Sequence, residues 1–264
     1  MATEAAQRRA VFAFRYQVYV EQMGKQPAGA DHENGLLTDS ADDDASILYL
    51  SHGANPIATL RLNGGPFSDH LSRDYGLERF SRFADASLSA SSRLMIAAEW
   101  RGSSVLGTLL REAYRMARTN GSRFDFCYCT PALVSFYEQL GYRRYKSGFE
   151  VPGLGYRVPL VLVSGDLEHL QRVRSPFLKL ARAFGGDDEA ADWFRREFPE
   201  AADFANRRVL GADEFWSVLG GKLGLSGSDS VPLFQGLDDE QVKRFSSAAT
   251  LMNCKAGDAL IQPG

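Results

Sequence analysis

The sequence predicts an α/β (α+β) fold, with helices packed on a mixed sheet. Three observations carry this expectation. Through residues 1–163, apolar runs of strand length alternate with amphipathic helical patterns. Clusters rich in Gly, Asn and Pro separate them. Apolar residues make up 44 % of the chain and charged residues 24 %, enough to bury a sizeable core.

The elements follow in order. Val11, Phe12, Phe14, Tyr16, Val18, Tyr19 and Met23 put an aromatic-rich face on a first helix, stopped by Gly24 and Pro27. Residues 31–44 form an acidic loop. Ile47 to Leu50 and Ile57 to Leu62, joined by a Ser-His-Gly-Ala-Asn-Pro turn, read as a hairpin. A strand is expected over Arg93 to Ala98. A helix should follow Gly102 and Ser103, with Leu106, Leu109, Leu110, Ala113 and Ala117 as its apolar stripe, ending at Asn120-Gly121. Phe124 to Cys129 suits a buried strand. Ala132 to Leu140 reads as a helix capped by Gly141, and Tyr156 to Val163 as a last strand.

Beyond this α/β domain (1–163) the pattern turns helical. Leu167 to Phe184, Glu189 to Phe198 and Asp213 to Leu223 are helical segments of an extension or linker over 164–228. It reads as docked on the first domain, or else as a partner-binding module. Residues 229–264 follow a Ser-Gly-Ser-Asp joint and end in two apolar stretches with open edges, so a third domain is expected to be incomplete.

Composition excludes several functions. With 30 basic and 33 acidic residues, the net charge of −3 argues against nucleic-acid binding. No run nears the ~20 apolar residues of a membrane helix, and the first residues lack a signal-peptide core. Three cysteines (127, 129 and 254) read as reduced thiols of a cytoplasmic protein. Four scattered histidines suggest no metal site.

The stretch Glu99-Trp100-Arg101-Gly102-Ser103-Ser104-Val105-Leu106-Gly107 lies between a strand and a helix. Free amides at a helix N-terminus attract anions, Gly102 permits close approach, and Ser103 and Ser104 offer hydroxyls. A phosphate cradle results, although an ordinary turn with a serine cap fits the same residues.

Some thirty residues later stands Phe136-Tyr137-Glu138-Gln139-Leu140-Gly141-Tyr142. Together with Arg101-Gly102 this resembles the two signatures of the GNAT acyltransferases, over residues 10 to about 163. Ser104 and Leu106 stand where that family's later glycines fall and would narrow the cradle. Phe14-Arg15-Tyr16-Gln17-Val18-Tyr19-Val20, Asp39-x-x-Asp42-x-x-Ala45, Ala58-Thr59-Leu60-Arg61-Leu62 and Ser92-Arg93-Leu94-Met95-Ile96 are similar to its autoinducer-synthase and N-acyl amino acid synthase branch.

The resemblance implies a GNAT-like mixed sheet and a function. An acyl group, medium or long, would pass from an acyl carrier protein or acyl-CoA to a small amine or amino acid. Met95, Ile96, Ala97, Arg101, Gly102, Ser103, Ser104, Leu106 and Gly107 would hold the phosphopantetheine arm of acyl-ACP, or acyl-CoA. A backbone N–H near Met95 to Ala97 would receive the oxyanion. Glu99 would act as base, its alternative being a surface ion pair with Arg101. Tyr137 would protonate the leaving thiolate, its alternative being a core anchor. Arg15, Arg61 and Arg93 suit an acceptor carboxylate or a donor phosphate. Asp39 and Asp42 would answer those charges or receive an ammonium. Two rivals remain: an acetyl-coenzyme A acetyltransferase, and a non-catalytic GNAT-fold sensor or scaffold.

The tail (Pro232-Leu233-Phe234-Gln235-Gly236-Leu237-Asp238, then Lys255-Ala256-Gly257-Asp258-Ala259-Leu260-Ile261) resembles the start of a cyclic-nucleotide-binding domain, a truncated β-roll. Its phosphate-binding cassette would lie beyond Gly264. A cyclic nucleotide is therefore expected as a partner only if a complete C-terminal domain exists.

Overall fold

The computed structural model describes residues 1–202 except 153, together with 238 and 241. The chain opens with α1 (Ala5–Tyr16), which continues through a π-helical stretch, Gln17–Gln22. A short hairpin of β1 (Ala30–Asp31) and β2 (Leu36–Leu37) leads to β3 (Ser46–His52) and β4 (Asn55–Gly64). Next come α2 (Asp69–Tyr75), β5 (Leu88–Ile96), α3 (Val105–Thr119), β6 (Phe124–Cys129) and α4 (Val134–Leu140). They are followed by β7 (Arg143–Arg144), β8 (Phe149–Val151) and β9 (Gly155–Val163). Four helices close the described chain: α5 (Leu167–Arg172), α6 (Leu178–Phe184), α7 (Asp188–Glu197) and α8 (Pro199–Ala202).

The main sheet runs β3-β4-β5-β6-β9-β7, with β8 paired to β9. All neighbours are antiparallel except β5 and β6. The β3–β4 turn uses Gly53 at φ 62°, where a side chain would be strained. One face of the sheet carries Leu60, Cys127, Cys129, Leu160 and Leu162 against α3, α4 and α6. The other carries Leu88, Phe124, Phe126 and Val161 beneath Tyr75, Phe80 and Phe83. Trp193, Phe194 and Phe198, from α7 and just beyond it, complete this second core.

Several expectations needed correction. The strand expected over Arg93 to Ala98 is β5. It starts at Leu88, where Ser89 and Ser91 hid the alternation, and ends at Ile96, before the 3-10 turn Ala98–Trp100. The helix expected over Leu167 to Phe184 breaks into α5 and α6. Arg174 takes a φ of 54°, and Pro176 disfavours helix at Ser175. The two-residue strand β7 was invisible because its residues are arginines. Arg143 is buried by pairing with Asp166 at 2.9 Å and lying over the Phe194 ring. The helical segment Asp213 to Leu223, the third domain and Cys254 lie outside the described residues.

No helix among the described residues is long and apolar enough to cross a membrane.

Candidate active site

The site grows from a defect in the sheet. Strand β5 pairs with β6 only over Leu88–Ala90 and Phe124–Phe126. Beyond these pairs the two strands part, leaving a V-shaped gap. A bulge helps to drive them apart. Thr59 faces Met95 and Arg61 faces Ser92, so Arg93 and Leu94 of β5 oppose Leu60 alone on β4. Arg93 absorbs the extra residue with a φ of 54°, an unusual conformation for a side-chain-bearing residue.

One side of the gap is the α3 face. The turn before α3 places Gly102 at φ 80°, with open space where a side chain would stand. In the first turn of α3 the N–H groups of Leu106 and Gly107 have no hydrogen-bond partner among the described residues. Ser103 does not contribute a free hydroxyl as expected. Its Oγ donates to the Trp100 carbonyl (2.6 Å) and accepts from the Val105 N–H (3.3 Å). Ser104 makes no side-chain cap bond and is exposed, while the half-buried Leu106 side chain packs into the core. Neither side chain is turned to block the turn.

Tyr137 stands on the same face, edge-on to Phe136 and Tyr142. Burial first, then the neighbouring Cys127 and Cys129, push its phenol well above the ordinary tyrosine range. It lines a small cavity of about 20 Å³ together with Leu60, Leu94, Leu110, Tyr114 and Phe177. The cavity floor is polar, which sequence reasoning missed. Asp125 lies there buried, accepting from Ser89 Oγ (2.6 Å) and Tyr142 OH (2.5 Å). Burial raises its carboxyl pKa against these hydrogen bonds. The only signal was an aspartate inside an apolar strand. Cys127 and Cys129 are free and buried, and burial holds both as thiols.

On the opposite face, the five residues singled out as substrate contacts come together. Arg15, fully buried, donates to Asp42 Oδ1 at 2.7 Å. Arg61 bonds Asp39, lies 3.3 Å from Asp42, and donates to Ser92 Oγ at 2.9 Å. Arg93 donates to Asp39 at 2.5 Å. Asp39 and Asp42 also accept from backbone amides of their own turn, which fixes both carboxylates. Burial alone would raise the Asp39 pKa, but Arg61 and Arg93 outweigh it and hold the carboxyl at about 2. These arginines and aspartates thus answer one another.

The last predicted group lies at the end of β5. Ala97 donates its N–H to Ile57 O at 2.8 Å, so it cannot serve an oxyanion. Antiparallel pairing alternates, so Met95 faces β4 as well. Ile96 is the residue whose backbone faces the gap, and its carbonyl accepts from Arg101 Nε at 3.4 Å. Glu99 is exposed on the 3-10 turn and forms no ion pair among the described residues, so the alternative pairing with Arg101 is not made.

A mixed sheet opened beside a helix N-terminus, with a phenol in the gap, defines a GNAT-type N-acyltransferase. The family described as N-acyl amino acid synthase FeeM matches residues 10–166, and the chain belongs to it. No curated protein matches. Among solved structures, the CoA-dependent acyl-homoserine lactone synthase BjaI with MTA is 15 % identical, with a TM-score of 0.51. That match covers 66 % of this chain and 84 % of BjaI. TofI, solved in a ternary complex with an inhibitor and MTA, is 20 % identical with a TM-score of 0.49, over 66 % of this chain and 94 % of TofI. At 15 % identity the likeness to BjaI concerns the fold.

Proposed function

We propose that this N-acyltransferase moves an acyl group from a pantetheine thioester, as acyl-CoA or acyl carrier protein, to the amino group of a small amine or amino acid. The observation that carries this reading is the coincidence, on one face of the gap, of free α3 amides and a half-buried phenol. A donor phosphate rests on the amides of Leu106 and Gly107 beside Gly102, with Arg101 nearby. Ser104 leaves that turn open, so a CoA pyrophosphate is accommodated as well as a single phosphodiester. CoA donors are also what the BjaI name describes for that protein.

The pantetheine arm then lies along Ile96 in the gap. The attacking amine loses its proton through water to Glu99 at the mouth. The tetrahedral oxyanion meets the Ile96 N–H. The C–S bond breaks as the amide forms, releasing free thiol. An ordinary thiol pKa of ~8.5 lies below that of a phenol, so Tyr137 serves the departing sulfur as hydrogen-bond donor.

The test is a mass-spectrometric screen of thioesters of graded length against a pool of amines and amino acids, with wild type and Tyr137→Phe. Acylated amine is expected from wild type, with kcat lowered roughly 100-fold in the variant. Free thiol without acylated amine would overturn the reading.

A further inference from the structure

Four arginines are buried among the described residues: Arg15, Arg61, Arg143 and Arg157. The first three pair with carboxylates. Arg157 does not. It is 7 % exposed, and its hydrogen bond runs from Nη1 to its neighbour's carbonyl, Tyr156 O, at 2.8 Å. Glu150, on the adjacent β8, influences its charge but forms no ion pair with it. Nε and Nη2 have no partner among the described residues, yet they are not sealed from solvent.

Holding a guanidinium largely out of water without a carboxylate carries a desolvation cost. The position of Arg157 suggests what offsets that cost. Tyr128 faces Pro159 and Cys129 faces Val158, so Arg157 stands just past the end of β6, at the open end of the gap. It alternates with Val161, which places it on the face opposite α3, beside Tyr128. Tyr19 and Tyr128 are near enough to influence it, and Tyr19 also covers the Arg93 guanidinium at 5.7 Å. Donor phosphate is assigned to the α3 face, so this cation serves a different anion, one arriving from the other side.

We propose that Arg157 is the residue that binds the carboxylate of the acceptor, whose amino-acid class is the one the family description names. The inference rests on the transferase reading above. A planar guanidinium fork matches a carboxylate bidentately and orients the neighbouring amino group toward the thioester. Arg157 is a substrate-positioning residue and touches no bond that breaks.

Two experiments separate this site from the reaction. In turnover assays, wild type is compared on free amino acids, their carboxamides and S-adenosylmethionine, with Arg157→Gln and Arg157→Lys alongside. The expected result is a preference for acids over amides. In Arg157→Gln, KM for acids should rise roughly 10- to 100-fold, with kcat on amides unchanged, and Arg157→Lys should fall between. Whether free amino acids or the sulfonium compound respond identifies the source of the carboxylate. Calorimetry with the same amino acids reads binding without chemistry. Binding to wild type that is lost in Arg157→Gln supports the site even if no acyl transfer occurs. Equal use of acids and amides by wild type would overturn the proposal, as would a variant that weakens both alike or the absence of amino-acid binding to wild type.

Discussion

The two faces of the splayed strands handle polar groups in opposite ways. On the α3 face the exposed end is lined by backbone amides with no partners among the described residues, and side-chain charge is scarce. On the opposite face, Arg15, Arg61 and Arg93 are tied to Asp39 and Asp42, leaving Arg157 as the buried guanidinium without a carboxylate among the described residues. The difference teaches how to separate scaffold from binding groups. Charges that answer one another hold the bulge and the acidic turn in place. Groups left unanswered at the gap are those a ligand can satisfy. Arginines on otherwise apolar elements pointed to the first set, and the structure redirects attention to the second.

This contrast can be broken in stages. The largest effect is expected from Asp42→Ala, which strands the buried Arg15 without its carboxylate. Loss of one partner of a buried pair costs roughly 3–5 kcal/mol. Denaturant unfolding at neutral pH measures it. A loss below about 1 kcal/mol would mean that the cluster is not scaffold but a solvated charge reservoir.

A smaller and pH-dependent effect concerns Asp39. Its folded pKa, about 2, lies below the ordinary 3.8, so folding favours the ionised form. The stabilisation is complete above pH 4 and disappears as pH falls through about 2. Unfolding of wild type and Asp39→Asn should therefore differ at neutral pH and converge in acid. A gap that stays constant with pH would show that charge is not what Asp39 supplies.

The smallest effect should have opposite signs on stability and binding. Ser104→Asp puts a negative charge at the α3 N-terminus, which raises stability by about 0.3–1 kcal/mol. The same charge repels a donor phosphate, so the donor KM should increase. A lowered or unchanged KM would remove the phosphate from the α3 face and sharpen the question of where it binds.

Much of the site was legible in the chain. Arg15, Arg61 and Arg93 drew notice as arginines on otherwise apolar elements, Asp39 and Asp42 as acidic-loop residues that could answer them, and the five are together. That Asp39 and Asp42 would answer those arginines was one of the readings open; which arginine meets which carboxylate was not legible, because it depends on a turn 46 residues ahead of β5 folding back over β4. Asp125 and Arg157 escaped for a related reason. Each sits singly within an apolar strand, and no local pattern says which face it takes or who meets it there. Gly102 was read as permitting close approach, and the space beside it is open, whereas the Ser103 hydroxyl was assigned to a ligand and is spent on Trp100.

Local pattern alone determined the alternation of strands and helices, the amphipathic α3 and the glycine turn before it. Apolar periodicity and backbone conformational preference act over a few residues and need no distant partner. The gap itself was decided by tertiary structure. It exists because a bulge at Arg93 re-aims β5 while β6 is held by β9, a competition between pairings far apart in sequence. Which charges are answered and which wait for a ligand is fixed by the same long-range packing.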